Sequence, residues 1–210
     1  MSLELLVLTL DDVLIRADES RKAGACAASR DRAPLIRWHE DACTEARAGQ
    51  SMEIRSQALQ LMRSAELDGV RLALAAPISS RKLRVLLDGA IGPNWMDRFA
   101  VIATADALLP RETEIELYRL ILHTANVPAH RALLVGATQS SLRAAQAVGM
   151  HTAAVRPAYD DAPRQTGGST VLCGSPDAVW PDFHALECSV TGQRQPDAHA
   201  ATRQQPRRFA

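Results

Sequence analysis

Short apolar runs alternate with longer stretches of helical periodicity along most of this chain, and the alternation predicts an α/β fold. Residues 3–10 (Leu-Glu-Leu-Leu-Val-Leu-Thr-Leu) read as a first buried strand. From Met52 to Leu67, apolar residues at Ile54, Ala58, Leu59, Leu61, Met62 and Ala65 recur at helical spacing. Asp68-Gly69 stops that helix. Residues 70–75 form a second apolar run. Ser79 or Ser80 can cap the helix that follows, which carries Leu83, Leu86 and Leu87 and stops at Asp88-Gly89. Residues 99–102 predict a third strand, 112–125 a helix, 131–136 a fourth strand and 139–148 an Ala-rich helix ending at Gly149. A fifth strand follows over 150–155, then a short strand at 170–173 and a helix through Trp180, Phe183 and Leu186.

Strands separated by helices of this length pair in parallel, with helices covering both faces of the sheet. Ligand sites in such sheets lie beyond the carboxyl ends of the strands, where the strand order reverses. Thr9, Ala76 and Ala137 fall at three such ends. The pattern also marks out the parts of the chain. Residues 1–13 and 52–190 carry the α/β rhythm. Residues 14–51 are polar and irregular, with hints of one or two short helices near Trp38 and the alanines at 42–48. Residues 191–210 have no apolar periodicity and hold four Arg among Gln and Pro, the composition of a disordered tail.

Composition narrows the class further. The 210 residues are 47% apolar, enough for one sizeable core. The 24 basic and 24 acidic residues cancel, so no bulk charge draws the chain to nucleic acid or an anionic membrane. The first apolar run is too short for a membrane span and ends in two Asp. Cys26, Cys43, Cys173 and Cys188 form no Cys-x-x-Cys pair, so they read as cytoplasmic thiols and not as a metal or disulfide framework.

Several stretches carry a family resemblance. Leu5-Leu6-Val7-Leu8-Thr9-Leu10-Asp11-Asp12-Val13-Leu14 resembles the first motif of the haloacid dehalogenase (HAD) superfamily, a strand ending in Asp-x-Asp-Gly-Thr-Leu. Residues 70–77 resemble the second-motif strand, 99–106 the approach to the third motif, and 116–122 the helix after it. The most specific stretch runs from Val127 to Gly136 and on through Ser141-Leu142-Arg143-Ala144-Ala145-Gln146-Ala147-Val148-Gly149-Met150, similar to the fourth motif. The likeness covers about residues 3–190 and is nearest the CbbY-like sugar-phosphate phosphatase subgroup. It implies a Rossmannoid three-layer sandwich with a central parallel sheet, strand order 3-2-1-4-5. It also implies a helical cap between the first motif and the helix before strand 2, which residues 14–51 are long enough to supply only in reduced form.

The motif positions depart from the family pattern one by one. Thr9 stands where the nucleophilic Asp is usual, Ala76 where a phosphate-binding Ser or Thr is usual, and Ala137 where a magnesium ligand is usual. The third-motif Lys position carries Glu112, with Arg111 beside it. Asp11, which resembles the family's general acid/base, is the surviving carboxylate of the motif set. Attack on phosphorus needs an ionised nucleophile. Magnesium needs hard oxygen ligands, usually with carboxylates among them. A carboxylate in place of the Lys repels a phosphate instead of neutralising it. The resemblance with these losses implies a degenerate, non-catalytic protein, without cofactor, acting by contact with a protein partner or a second copy of itself. The alternative is a magnesium-dependent hydrolase of small sugar phosphates that uses Asp11 with Arg111, Arg81 or Lys82 as anion-binding groups.

Other residues draw attention without forming a constellation. His39, Glu40 and Asp41 lack metal-ligand spacing to another His, while His184 and Cys188 are four apart and can share a helix face. Trp95, between Asn94 and Met96, is a core residue or, on an exposed loop, a partner-surface anchor.

Overall fold

Leu5–Thr9 forms β1, and all five of its residues are buried because strands pair with it on both sides. The structure is a computed structural model and describes residues 2–10, 13–16, 53–108, 113–156, 170–175 and 177–192. In chain order the remaining strands are β2 (Ile15–Arg16), β3 (Glu53–Ile54), β4 (Arg71–Ala76), β5 (Val101–Thr104), β6 (Ala132–Gly136), β7 (His151–Arg156) and β8 (Thr170–Cys173). Among the described residues the α-helices are α1 (Ser56–Leu67), α2 (Ser80–Ala90), α3 (Glu114–Ala125), α4 (Gln139–Val148) and α5 (Phe183–Gly192).

The main sheet has the order β5-β4-β1-β6-β7-β8, and every pairing in it is parallel. Counting only these strands along the chain gives 3-2-1-4-5, with a sixth strand added at the outer edge. Because successive strand side chains point to opposite faces, each strand feeds two cores. Leu6, Leu8, Leu72, Leu74, Leu133 and Val135 pack with α1, α2 and α5. Leu5, Val7, Ala73, Ala75 and Leu134 pack with α3 and α4. Covering both faces explains the near-continuous apolar strands. Each Leu of this kind contributes about 1.5–3 kcal/mol by leaving water.

The local signals set most element ends, with some corrections. Ser79 caps α2, its hydroxyl accepting from the Lys82 amide at 3.4 Å. Gly89 does not stop α2. The helix runs on to Ala90, and the reversal falls at Gly92, whose φ of 105° suits a residue without Cβ. The 112–125 helix begins at Glu114, because Thr113 and Glu116 close a capping box. Gly149, at φ 94°, closes α4 as read from the sequence. Ile54 lies in β3 and not in α1, where it pairs antiparallel with Ile15 of β2. Trp180 precedes α5 instead of lying within it.

The two-residue ribbon of β2 and β3 brackets residues 17–52, most of the stretch whose sequence implies a reduced cap, and these lie outside the described residues. The start of the ribbon is bolted down, since Val13, Leu14 and Ile15 belong to the buried core. The tail beyond Gly192 also lies outside the described residues. Among the described residues no helix is long and apolar enough to cross a membrane.

Candidate functional site

The ends of the three central strands define the candidate site. Thr9 closes β1, Ala76 closes β4, and Ala137 follows Gly136 at the end of β6. Since β1 lies between β4 and β6, the structure brings these three motif positions to one edge of the sheet. This is also where the order reverses, because the chain moves outward from β1 to β4 and β5 and then returns to β6. Asp11, Arg111 and Glu112 lie outside the described residues. Arg81 and Lys82 sit in the first turn of α2, Arg81 exposed and Lys82 half-buried.

The described residues at this edge are mostly buried and apolar. Thr9 is 8% exposed and Ala76 is fully buried, while Leu10, Val13, Leu14 and Ile78 are buried as well. Backbone bonds hold the turn after β1: the Leu10 amide donates to Ala75 O at 3.1 Å, and the Leu14 amide donates to Thr9 O at 3.4 Å. Thr9 presents a hydroxyl and Ala137 a methyl, so neither position offers Mg²⁺ the carboxylate such an ion favours. Among the described residues, no group of three or more His, Cys, Asp or Glu is placed to hold a metal.

Two carboxylates that the sequence reading missed stand beside this edge. Asp106 accepts the Ser80 amide at 2.6 Å, and the Ser80 hydroxyl pairs with that of buried Thr104 at 2.9 Å. The bonds from Ser80, its amide first, hold the Asp106 carboxyl below its ordinary value. The amide at the start of α2, which could greet an external anion, thus already serves an internal one.

Glu114 takes up side-chain hydroxyls at the start of α4. Its two carboxylate oxygens accept from Ser140 Oγ at 2.7 Å and from Ser141 Oγ at 2.8 Å. Thr138 caps this helix, its oxygen accepting the Ser141 amide at 3.2 Å while its hydroxyl donates to Ser141 Oγ at 2.7 Å. Buried Tyr118 lies beneath. Burial raises its phenol well above the usual value, and the Glu114 charge adds to the rise. Glu116 is held below its ordinary value by the Thr113 hydroxyl and then the Thr113 amide, the two partners of the capping box. The Thr113-x-x-Glu116 spacing was the readable signal here. Nothing local in the sequence joins Glu114 to Ser140 and Ser141.

The other attractive residues resolve simply. Trp95 is buried at 3% exposure, its indole N–H donating to Asp88 at 2.8 Å and its ring meeting Phe99 edge-on, so the partner-surface reading of it does not hold. His184 and Cys188 do share a face of α5, with Nε2 and Sγ 3.9 Å apart on an exposed surface. His39, Glu40 and Asp41 lie outside the described residues.

No protein-family model matches the chain. Protein CbbY of Cereibacter sphaeroides is 30% identical over 97 residues, a stretch that is 46% of this chain and 42% of that protein. The alignment therefore spans less than half of the relative's length. Among solved structures, CbbY from Rhodobacter sphaeroides in complex with phosphate superposes with a TM-score of 0.63 at 20% identity, covering 83% of this chain and 95% of that one. An L-2-haloacid dehalogenase superposes with a TM-score of 0.60 at 13% identity, covering 91% and 100%. The fold is shared with CbbY and with an L-2-haloacid dehalogenase.

Proposed function

We propose that this chain is a non-catalytic member of the HAD fold, a pseudo-phosphatase that works through protein contacts as an assembly or regulatory component. The observation that carries the reading is the adjacency of Ala76, Thr9 and Ala137 at the ends of neighbouring strands β4, β1 and β6. A phosphoryl-transfer site needs a nucleophile, a metal ligand and a phosphate donor to converge at that edge. None of these three side chains supplies a carboxylate, and two supply only a methyl.

The surroundings support the same reading. Asp106 and Glu114 occupy donors that a phosphate would otherwise use, and each adds negative charge near where that phosphate would enter. Leu10, Val13 and Ile78 are buried, as Thr9 is.

Likeness to CbbY, whose solved structure holds phosphate, favours the second reading, a magnesium-dependent sugar-phosphate hydrolase built around Asp11. A turnover assay separates the two. Purified full-length chain is incubated with Mg²⁺ and a panel of sugar mono- and bisphosphates, and released phosphate is measured. The pseudo-phosphatase reading predicts release no faster than in buffer. Turnover that is lost in Asp11→Ala would establish the hydrolase.

A further inference from the structure

Arg55 lies where three chain segments meet, between β3 and α1, and only 7% of it is exposed. Its backbone N–H donates to Leu14 O at 3.0 Å. Its Nη1 donates to Gly174 O, at the start of the loop after β8, and its guanidinium carbon lies 6.0 Å from the centre of the Trp180 ring. The Trp180 indole N–H donates to Cys173 O at 2.6 Å. The chain of bonds extends at both ends. Leu14 N–H reaches Thr9 O at 3.4 Å, and Gly174 N–H reaches Arg156 O at 2.6 Å. A continuous hydrogen-bonded path thus runs from the end of β1, through Arg55, to the ends of β7 and β8.

Burying a guanidinium is costly unless its donors and charge are served. A neutral side chain suffices to tie the same loop down, as Gln57 shows by donating to Ser175 O at 3.1 Å and Ala178 O at 3.0 Å. Arg adds a planar fork that can stack on an aromatic face while it donates in its own plane, together with a long reach. That combination allows Arg55 to hold a carbonyl 119 positions away in the chain while its own amide holds Leu14 O.

We propose that Arg55 is a coupling residue that ties the turn after Thr9 to the outer edge strand β8 and its loop. Displacement of the β8 loop then shifts the carbonyl that Arg55 holds, and through Leu14 it alters the turn at the candidate site. The inference stands whether or not that site turns over substrate.

Amide hydrogen exchange by mass spectrometry on the full chain tests it. Arg55→Lys keeps the charge but loses the planar fork and the stack. The expected result is about tenfold faster exchange both in the 13–16 and 53–55 segments and at Gly174, with β4 and β6 unchanged. Gln57→Ala loosens the same loop but leaves Arg55 in place, so only residues 175–178 should speed up. Three results would overturn the proposal: acceleration on one side of Arg55 alone, a uniform rise that includes β6, or a Gln57→Ala variant that loses protection at Leu14 to the same degree. If Arg55→Lys does not fold, Arg55→Met serves instead. It keeps an unbranched side chain of similar length and loses the bond to Gly174 O, and it must speed exchange on both sides or the coupling fails.

Discussion

Glu114 and Ser141 are 27 residues apart in sequence, yet their side chains meet at 2.8 Å and join the start of α3 to the start of α4. Ser140 completes the bridge through the second carboxylate oxygen. A carboxylate near a helix N-terminus is favoured by the partial positive charge there. Hydrogen bonds to a charged acceptor are also stronger than neutral ones. Glu114→Ala is therefore expected to destabilise the fold by about 1–2 kcal/mol, allowing for its partial exposure. In a thermal melt this is a fall of roughly 2–8 °C for a chain of this size. Glu114→Gln keeps an acceptor and should cost less. Equal melting points for wild type and Glu114→Ala would remove the bridge from the account.

Under the pseudo-phosphatase proposal, a carboxylate placed at position 9 alone is expected to give no phosphatase activity. Thr9→Asp puts a carboxylate at a position only 8% exposed, between buried Leu8 and Leu10 in the chain. Desolvation without a bound cation is expected to cost about 1–3 kcal/mol. Phosphate release from sugar phosphates should stay at the buffer rate, even when Ala137→Asp is added, because the third-motif position still carries Glu112. Measurable turnover in the double variant would show that the rest of the site is intact.

Acid should destabilise the protein through two identified carboxylates. Asp106 and Glu116 are both held below their ordinary values of 3.8 and 4.5 in the fold. A lowered folded value means that the unfolded chain binds protons first. The stabilisation is then fully present above the unfolded values and is lost as pH falls through the lower, folded ones. Melting temperatures measured from pH 6 down to pH 2 should drop below about pH 4.5, and the drop should be shallower in Asp106→Asn and Glu116→Gln. An unchanged acid limb in both variants would contradict these assignments.

Trp95 is a structural residue with a polar tie. Trp95→Phe retains a ring but leaves Asp88 without the indole donor at 2.8 Å, and a loss of about 1 kcal/mol is expected in denaturant unfolding. A neutral substitution would mean that the bond to Asp88 contributes nothing.

The sheet was legible because its strands are nearly continuous apolar runs, and the run 5–8 could only be buried on both faces. Helix ends with local chemistry, such as Gly149, were also legible. The relationships that shape the candidate site were not, because they join distant segments. Glu114 meets Ser140 and Ser141 across two helix starts, Asp106 meets Ser80 across β4 and β5, and Arg55 meets Gly174 across most of the chain. A two-residue ribbon such as β2 and β3 carries too few positions for a period to emerge. Trp95 stands in a polar stretch, and only the tertiary fold brings Asp88 and Phe99 to it.

The central claim is that the strand ends at Thr9, Ala76 and Ala137 no longer form a metal-dependent phosphate site. Calorimetric titration of Mg²⁺ and inorganic phosphate into the full-length chain, together and separately, tests it most directly, with Asp11→Ala as the control. The account predicts no heat of binding for either ion in either protein. Phosphate binding that requires Mg²⁺ and disappears in Asp11→Ala would contradict it.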